Sequence, residues 1–477
     1  MFETGVRQLR MALSMTWGRP FDTASLTRLV ADAAATVAEF GELGLEAREV
    51  IETPFADDTD RADHADRSIR RTARRLADLS PFYAERFAAT GFQPRTADAT
   101  TLLDLPVTTK DDLMSRPRDF VCHGSRPHLA TRTTGTTGRA LEIWLSRYEL
   151  EVAAALGALS GVLHDELHGD DLMQVHVSSR ATAAVQLASL TCRLVGARCR
   201  VLGIVAVDDA LDALVGSATA MSANASYLAE LVVGARRRGL GPDDFRLRRI
   251  DCVSEILSPA VRAAAEETFG APVSDNFGMT EVIPVTATSC SAGHLHHDLT
   301  MGDVEVLGLT SGAPAAPGEL GTLVVTPYFP YRECMPVLRY DTRDVVRRLP
   351  GPVTCEQAGI PATSAVLGKA SQLIEVAPGD VVTPRELVEA VEDLPTRPWP
   401  ARFRAEQDGG RLRLDLPANA VDGLSGAWLT DHFAGRGLDV RVRVVADQEA
   451  SGLRRVRSDL RELGFAAAEQ AAEPVGA

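Results

Sequence analysis

Lysine is almost missing from this chain: Lys110 and Lys369 are the only two in 477 residues, and every other basic side chain is an arginine. Where arginine is used so freely, a retained lysine marks a place that wants a compact ammonium on a flexible stem, or else a survivor of chance. Positive charge is also in short supply, with 50 basic against 65 acidic residues and a net charge of -15. That excludes the electrostatic footprint of a general nucleic-acid or anionic-membrane binder and leaves room only for a local basic pocket. Long apolar runs are lacking too. The most apolar helix candidate, Val152 to Leu163, is too short to span a bilayer, and Met1 to Gly5 carries an early acid with no apolar run before Arg7 and Arg10. Seven cysteines (122, 192, 199, 252, 290, 334 and 355) lack the spacing of a secreted scaffold, which points to a reduced compartment. These absences predict a cytoplasmic protein.

The chain does hold ordinary globular material, 45% hydrophobic and 24% charged. Its length predicts roughly two to four domains of about 150 residues. Residues 1–65 read as an amphipathic helical extension without visible chemistry. Over 66–366, helices of 3.6-residue period, such as the face Tyr227, Leu228, Leu231, Val232 and Ala235, alternate with strand candidates at Arg200–Val205, Arg249–Val253, Val304–Leu307 and Gly321–Thr326. That alternation predicts an α/β fold, a large domain of sheets covered by helices. Residues 367–477 change character: strands near 402–405, 411–416 and 440–445 with two helices predict a small α+β domain.

The sharpest local run is Thr133-Thr134-Gly135-Thr136-Thr137-Gly138-Arg139, before the strand-like Leu141 to Leu145. Its glycines let backbone N–H groups converge on phosphate oxygens, its hydroxyls add donors, and Arg139 offers charge-assisted bonds. The Walker spacing is absent, so a P-loop fold is not implied, and a mobile surface loop would have the same composition.

Further motifs follow in a fixed order. They are Asp275-Asn276-Phe277-Gly278-Met279-Thr280-Glu281, then Arg339-Tyr340-Asp341-Thr342-Arg343-Asp344, then Leu367-Gly368-Lys369. Together with the Thr-Gly loop they resemble the adenylate-forming, acyl-CoA synthetase-like superfamily. Phe82-Tyr83 and Pro106-Val107-Thr108-Thr109-Lys110-Asp111-Asp112-Leu113 resemble its phenylacetate-CoA ligase branch. The resemblance covers roughly residues 75–460. It implies that Thr133 to Arg139 cradle phosphates, that Phe277 with Asn276 and Gly278 meets adenine, and that Thr280 bonds the α-phosphate. It also implies that Glu281 holds Mg²⁺, Asp344 takes the ribose hydroxyls, Glu255 lies near the nucleotide, and Lys369 opens an interdomain hinge about which the small C-terminal domain moves. Oxygen ligands of these types have the chemistry for those roles.

Departures from the family pattern are as informative. The C-terminal lysine expected to neutralise phosphate is replaced by Leu453 in the simplest register, with Arg454 as the neighbouring cation. The hinge reads Ala370-Ser371-Gln372, and Arg343 stands where the ribose motif has glycine. Cys290, His296 and Cys355 resemble part of a structural zinc set in this branch. The last ligand position is taken by Gln357, so Cys334 or His297 would have to complete it, or the site has lapsed. His176 and Ser178, at the end of a strand-like run, with Asn224 and Tyr227, are candidates for the acid pocket, although Ser178 or Ser179 would equally cap a helix.

The resemblance thus implies an ATP- and Mg²⁺-dependent ligase. It would convert an aryl or acyl acid to an acyl-adenylate in bacterial secondary or aromatic metabolism, and pass the acyl group to CoA, a carrier protein or an amine. Homodimers are compatible with the branch. Two alternatives stay open: activation of nitrite for aryl-amine diazotisation, and an adenylation-deficient homologue that binds an acyl group or a partner.

Overall fold

The computed structural model describes residues 20–42, 55, 57–132, 141–164, 166–178, 181–377, 379–408 and 411–446. The helix Thr23–Glu42 lays Leu26 and Val30 against the helices Arg147–Leu163 and Thr182–Val195. A second helix, Asp58–Leu79, starts where the Asp57 carboxylate accepts the Asp60 N–H, and buries Ile69, Ala73 and Leu76. It runs without a break through residue 65, because its apolar stripe belongs to the same core as the body. The expected boundary at 65 therefore falls inside a helix.

Strands β1 (Pro127–Arg132) and β2 (Glu142–Ser146) form an antiparallel ribbon that flanks the Thr-Gly run. They are followed by β3 (Leu172–His176), β4 (Arg198–Val201), β5 (Ala220–Asn224), β6 (Arg249–Val253), β7 (Val273–Gly278), β8 (Thr286–Ser289) and β9 (His294–His297). Next come β10 (Gly302–Gly308), β11 (Leu320–Pro327), β12 (Tyr340–Arg347), β13 (Ala362–Ser364) and β14 (Gly368–Lys369). The main sheet has the order β13-β9-β8-β7-β6-β5-β3-β4, parallel from β4 across to β7 and antiparallel beyond. A second, antiparallel sheet has the order β10-β11-β12-β14.

The parallel half is covered by helices, as its composition demands. Every residue of β3 is buried, and the helix Ala225–Arg237 presses Tyr227, Leu228, Leu231, Val232 and Ala235 into the core as its period predicts. Each such Leu or Val contributes about 1.5–3 kcal/mol by leaving water. Strand β4 stops before the predicted end at 205, since Gly203 takes a left-handed φ of 69° and turns the chain.

Beyond β14, a hairpin of β15 (Ile374–Ala377) and β16 (Asp380–Val382) leads to the three-stranded sheet β17 (Arg404–Asp408), β18 (Arg411–Pro417) and β19 (Val440–Val445). With the helices Pro384–Glu392 and Gly426–Ala434 they enclose a separate apolar core around Leu387, Val391, Phe403, Leu414 and Phe433. This is the α+β unit expected from the strand and helix pattern. At its entrance Gly368 has φ 135°, and a Cβ there would lie 2.3 Å from Pro384 Cγ, so no other residue fits without displacing the following helix.

Candidate active site

In a parallel sheet, loops that leave the carboxyl ends of strands running in opposite directions from a switch point open a crevice there. Strand β3 lies between β4 and β5, so the crest above β3, β5, β6 and β7 is such a place. Ser178 follows β3, Asn224 ends β5, Ser254-Glu255 follows β6, and Asn276-Phe277-Gly278 ends β7. Phe277 is half-buried and Gly278 exposed, which leaves ring surface and backbone available to a flat ligand. Asn224 Oδ1 and Ser226 Oγ are buried without a hydrogen-bond partner among the described residues, as expected of atoms that await a polar ligand. Ser226 was not singled out by sequence reasoning, because a serine at the start of a helix carries no distinguishing signal.

The chain leaves β7 through Met279 and enters the short 3₁₀ turn Thr280–Val282, which buries Glu281 while Thr280 stays half-exposed. Burial pushes the Glu281 carboxyl above the usual carboxylate range; Lys369 and Lys110 oppose the rise and Asp344 adds to it. Burial raises the pKa of the nearby Tyr340 hydroxyl strongly, and the Glu281 carboxylate adds to the rise. A buried carboxylate held this way is suited to a hard cation, so the residues present fit Mg²⁺.

The second sheet brings the remaining groups. Register pairs Asp344 of β12 with Lys369 of β14, and Lys369 Nζ donates to Asp344 Oδ2 at 2.8 Å and to the Thr342 carbonyl at 3.0 Å. The residue before Asp344 explains the family's glycine: Arg343 sits at φ 61°, a left-handed conformation that costs a side-chain-bearing residue roughly 1 kcal/mol. Its N–H donates to Asp341 Oδ1 at 2.9 Å, which helps hold the turn. Arg339, which opens the same motif, is structural. It is buried against Glu305 at 2.8 Å and donates to the carbonyls of Leu103 and Leu105, tying that segment to β12.

A separate cluster lies at the antiparallel end of the main sheet. One ligand atom each from Cys290, His294, His296 and Cys355 falls within 4.8 Å of the others. Strand alternation points His294 and His296 to one side of β9 and His297 to the other, where His297 Nε2 meets Thr363 Oγ1 at 3.1 Å. Cys355 Sγ lies 3.3 Å from His296 Nε2, and Cys290 Sγ lies 3.5 Å from His294 Nδ1. His296 Nδ1 faces the Ile360 carbonyl at 3.0 Å, an arrangement that orients Nε2 toward the sulfurs. Two nitrogens and two sulfurs at this spacing fit tetrahedral zinc.

Several expectations are corrected. Cys334 is no part of the cluster: it lies in another core, where the Cys122 N–H donates to its carbonyl, and His294 takes the place expected for it. His176 is fully buried, bonded to the Gly203 carbonyl and to Gln174, and its ring lies 5.2 Å from that of Tyr227. Tyr227 in turn donates to the Val205 carbonyl, so both belong to the helix–sheet core and not to an acid pocket. Ser178 stands at the crest, and the following helix is capped at Ala181 without it. Glu255 does sit at the crest, but its carboxylate accepts from Asn224 Nδ2 and the Ser226 N–H, which fixes the start of the helix Ala225–Arg237. Thr133, Thr134, Gly135, Thr136, Thr137, Gly138 and Arg139 lie outside the described residues, as do Leu453 and Arg454.

No protein-family model matches the chain. Among curated proteins it is 24% identical over 328 residues to a phenylacetate-coenzyme A ligase of Thermus thermophilus, covering 64% of this chain and 69% of that protein. It is 26% identical over 312 residues to one of Pseudomonas putida, covering 59% and 65%. The matches thus span about two thirds of the curated relatives. A crystal structure of 2-hydroxyisobutyryl-CoA ligase in the postadenylation state, in complex with 2-HIB-AMP, shares the fold at TM-score 0.69 and 20% identity, covering 88% of this chain and 93% of that one. The chain thus resembles phenylacetate-coenzyme A ligases in sequence and shares its fold with 2-hydroxyisobutyryl-CoA ligase.

Proposed function

We propose that the protein is an ATP-dependent acid ligase, which joins an aryl or acyl carboxylate to AMP and then passes the acyl group to CoA. The observation that carries this reading is the convergence of Glu281, Asp344 and Lys369, delivered by two different sheets, beside the crest that holds Phe277. The names of the curated relatives support an acid and CoA as substrates.

The residues divide the work by their chemistry. Asp344 is a buried carboxylate suited to a pair of ribose hydroxyls, and Lys369 fixes its orientation. Phe277 offers its ring to adenine, with Asn224 Oδ1 and Ser226 Oγ as acceptors in reach of the same crest. Glu281 would hold Mg²⁺, which would supply screening of the phosphate charge. Thr280 donates its hydroxyl toward the α-phosphate, with the Thr133 to Arg139 run cradling the other two. A carboxylate oxygen of the acid then attacks the α-phosphorus, and the bond to the bridging oxygen breaks with its electron pair leaving on pyrophosphate. No proton has to move, so positioning and charge compensation carry the rate. In the second step the CoA thiol releases its proton to solvent, its sulfur bonds to the acyl carbon, and the acyl C–O bond to the phosphate breaks with its electron pair leaving on AMP. The unit beyond Gly368 is the part that re-docks between the two steps, with the tight Gly368–Pro384 contact as its pivot.

Zinc at Cys290, His294, His296 and Cys355 would have a structural role, since all four positions of a tetrahedral site are taken by protein ligands. Purified protein is expected to carry about one zinc per chain by elemental analysis. Removing it with a strong chelator, or substituting Cys355→Ser, is expected to lower the melting temperature. Metal-free protein of unchanged stability would show that the cluster is only a set of thiols and imidazoles.

Leu453 favours a second reading, a homologue that binds acyl groups without adenylating them. Pyrophosphate release with Mg-ATP separates the two, measured over aryl acids, short acyl acids and nitrite with an aryl amine, each with and without CoA. Release with a carboxylic acid supports the ligase. Release with nitrite alone moves the activity to an oxyanion, and no release with any of them, while an acyl-CoA still raises the melting temperature, favours the binding protein.

A further inference from the structure

A cavity of about 420 Å³ opens between the last two turns of the helix Ala225–Arg237 and residues between 396 and 419 of the unit beyond Gly368. Its size is that of a small-molecule site, and such sites favour the seams between domains. Arg237 faces it from the helix, Arg397 and Arg402 face it from the small unit, and Glu230 is the one acid in its lining. Arg237 is engaged, since its Nη2 donates to Asp208 Oδ1 at 3.1 Å. The guanidiniums of Arg397 and Arg402 have no hydrogen bond or ion pair among the described residues.

Backbone and packing fix the wall that carries them. Arg397 takes a left-handed φ of 51°, its N–H donates to the Leu394 carbonyl at 2.8 Å, and the Trp399 N–H donates to the Arg397 carbonyl at 2.8 Å. Pro398 and Pro400 fix φ on either side of the tryptophan. Trp399 Nε1 donates to the Glu392 carbonyl at 2.7 Å, and the ring packs against the core of the large unit that holds Leu231 and Phe269. The guanidiniums of Arg236 and Arg397 lie 5.5 and 5.8 Å from its centroid. A fixed aromatic surface therefore stands beside two cations that no protein anion neutralises.

We infer that this cavity binds a phosphate monoester with a flat, apolar ester group, the phosphate on Arg397 and Arg402 and the flat group against Trp399 and the exposed Val233. A guanidinium fork matches phosphate oxygens two at a time, and two free forks match a dianion better than a single carboxylate. The helix cannot replace them, because its C-terminal end is the negative end of its dipole. The site is separate from the nucleotide crest: Arg237 stands roughly 16 Å along the helix axis from Ser226. It goes beyond the ligase reading and does not rest on it. Each unit supplies one wall, so a bound ligand ties the small unit to the large one.

The test is calorimetric titration of the full chain with phenyl phosphate and with inorganic phosphate, in excess Mg-ATP so that the nucleotide crest is occupied. It is repeated for Arg397→Gln, Arg402→Gln and the two together. Glutamine keeps part of the stem, and since neither guanidinium has a partner to lose, the variants should melt at the temperature of the original chain. Phenyl phosphate is expected to bind at least tenfold more tightly than inorganic phosphate. Each single variant should weaken phenyl phosphate at least threefold and the double variant at least tenfold. Unchanged affinity in the double variant overturns the site, as does the absence of any binding to the original chain. Equal affinity for the two probes overturns it as well, since it would show an anion held at exposed arginines with no use of the Trp399 surface. If Mg-ATP itself does not bind, the ligase reading falls, while the arginine variants still decide this inference.

Discussion

Glu281→Gln is expected to reduce pyrophosphate release by roughly 10²–10³-fold, the size of effect seen when one preorganised charge stabiliser is removed from an active site. The amide has the same shape but no charge to offer a divalent cation. Its second signature distinguishes chemistry from folding. Burial is the leading cause that raises the Glu281 pKa, so the ionised carboxylate costs more to hold there than a neutral group of the same shape. A neutral amide there should leave the melting temperature unchanged or raise it, and the Mg²⁺ concentration needed for any residual activity should rise. Activity within threefold of the original, at unchanged Mg²⁺ demand, would remove Glu281 from the mechanism. A large fall in melting temperature would instead assign it to the structure.

The site was legible in sequence to the extent that its chemistry needs particular residue types in a particular order. Thr280, Glu281, Phe277 and Asp344 were proposed in this way, and the fold brings Glu281 and Asp344 to one place from separate sheets. His176 was misjudged for a physical reason: at the end of a strand buried on both faces, alternation does not tell a pocket from a core, and only the packing of Tyr227 decides it. The fourth member of the Cys/His cluster was legible but missed. His294 and His296 are two apart on a strand and must share a face, which excludes His297 by parity without any knowledge of the fold. The pairing of Thr108 with Tyr340 is a contact across more than 200 residues that no local pattern announces. Arg343 shows the converse case. An apparent departure from the family motif is a backbone strain that the structure tolerates, with Asp341 accepting the N–H of the strained residue.

Glu149 is the position where a single substitution should do most harm to stability. Ser146-x-x-Glu149 is a capping box at the start of the helix Arg147–Leu163, and its local pattern suggests a contribution of about 1 kcal/mol. The tertiary setting makes it larger. The carboxylate is buried and accepts the N–H groups of Ser146 at 2.6 Å, Glu333 at 2.7 Å and Cys334 at 2.8 Å. It also faces Arg332, a guanidinium with no exposed surface, whose Nε lies 3.6 Å away and donates to the Met335 carbonyl at 3.2 Å, and whose two terminal nitrogens have no hydrogen-bond partner among the described residues. Removing the carboxylate leaves three amides and one buried positive charge uncompensated, a loss of about 3–5 kcal/mol. Glu149→Ala should therefore shift the chemical denaturation midpoint strongly while leaving nucleotide binding by the remaining folded protein intact. Replacing both partners separates the causes. In Glu149→Ala with Arg332→Met the buried charge is gone, so a substantial part of the lost stability should return even though the amides stay unpaired. If the double variant is no more stable than Glu149→Ala alone, the ion pair is not what makes this position critical, and the burden rests on the three N–H groups that join the helix start to the 333–334 turn.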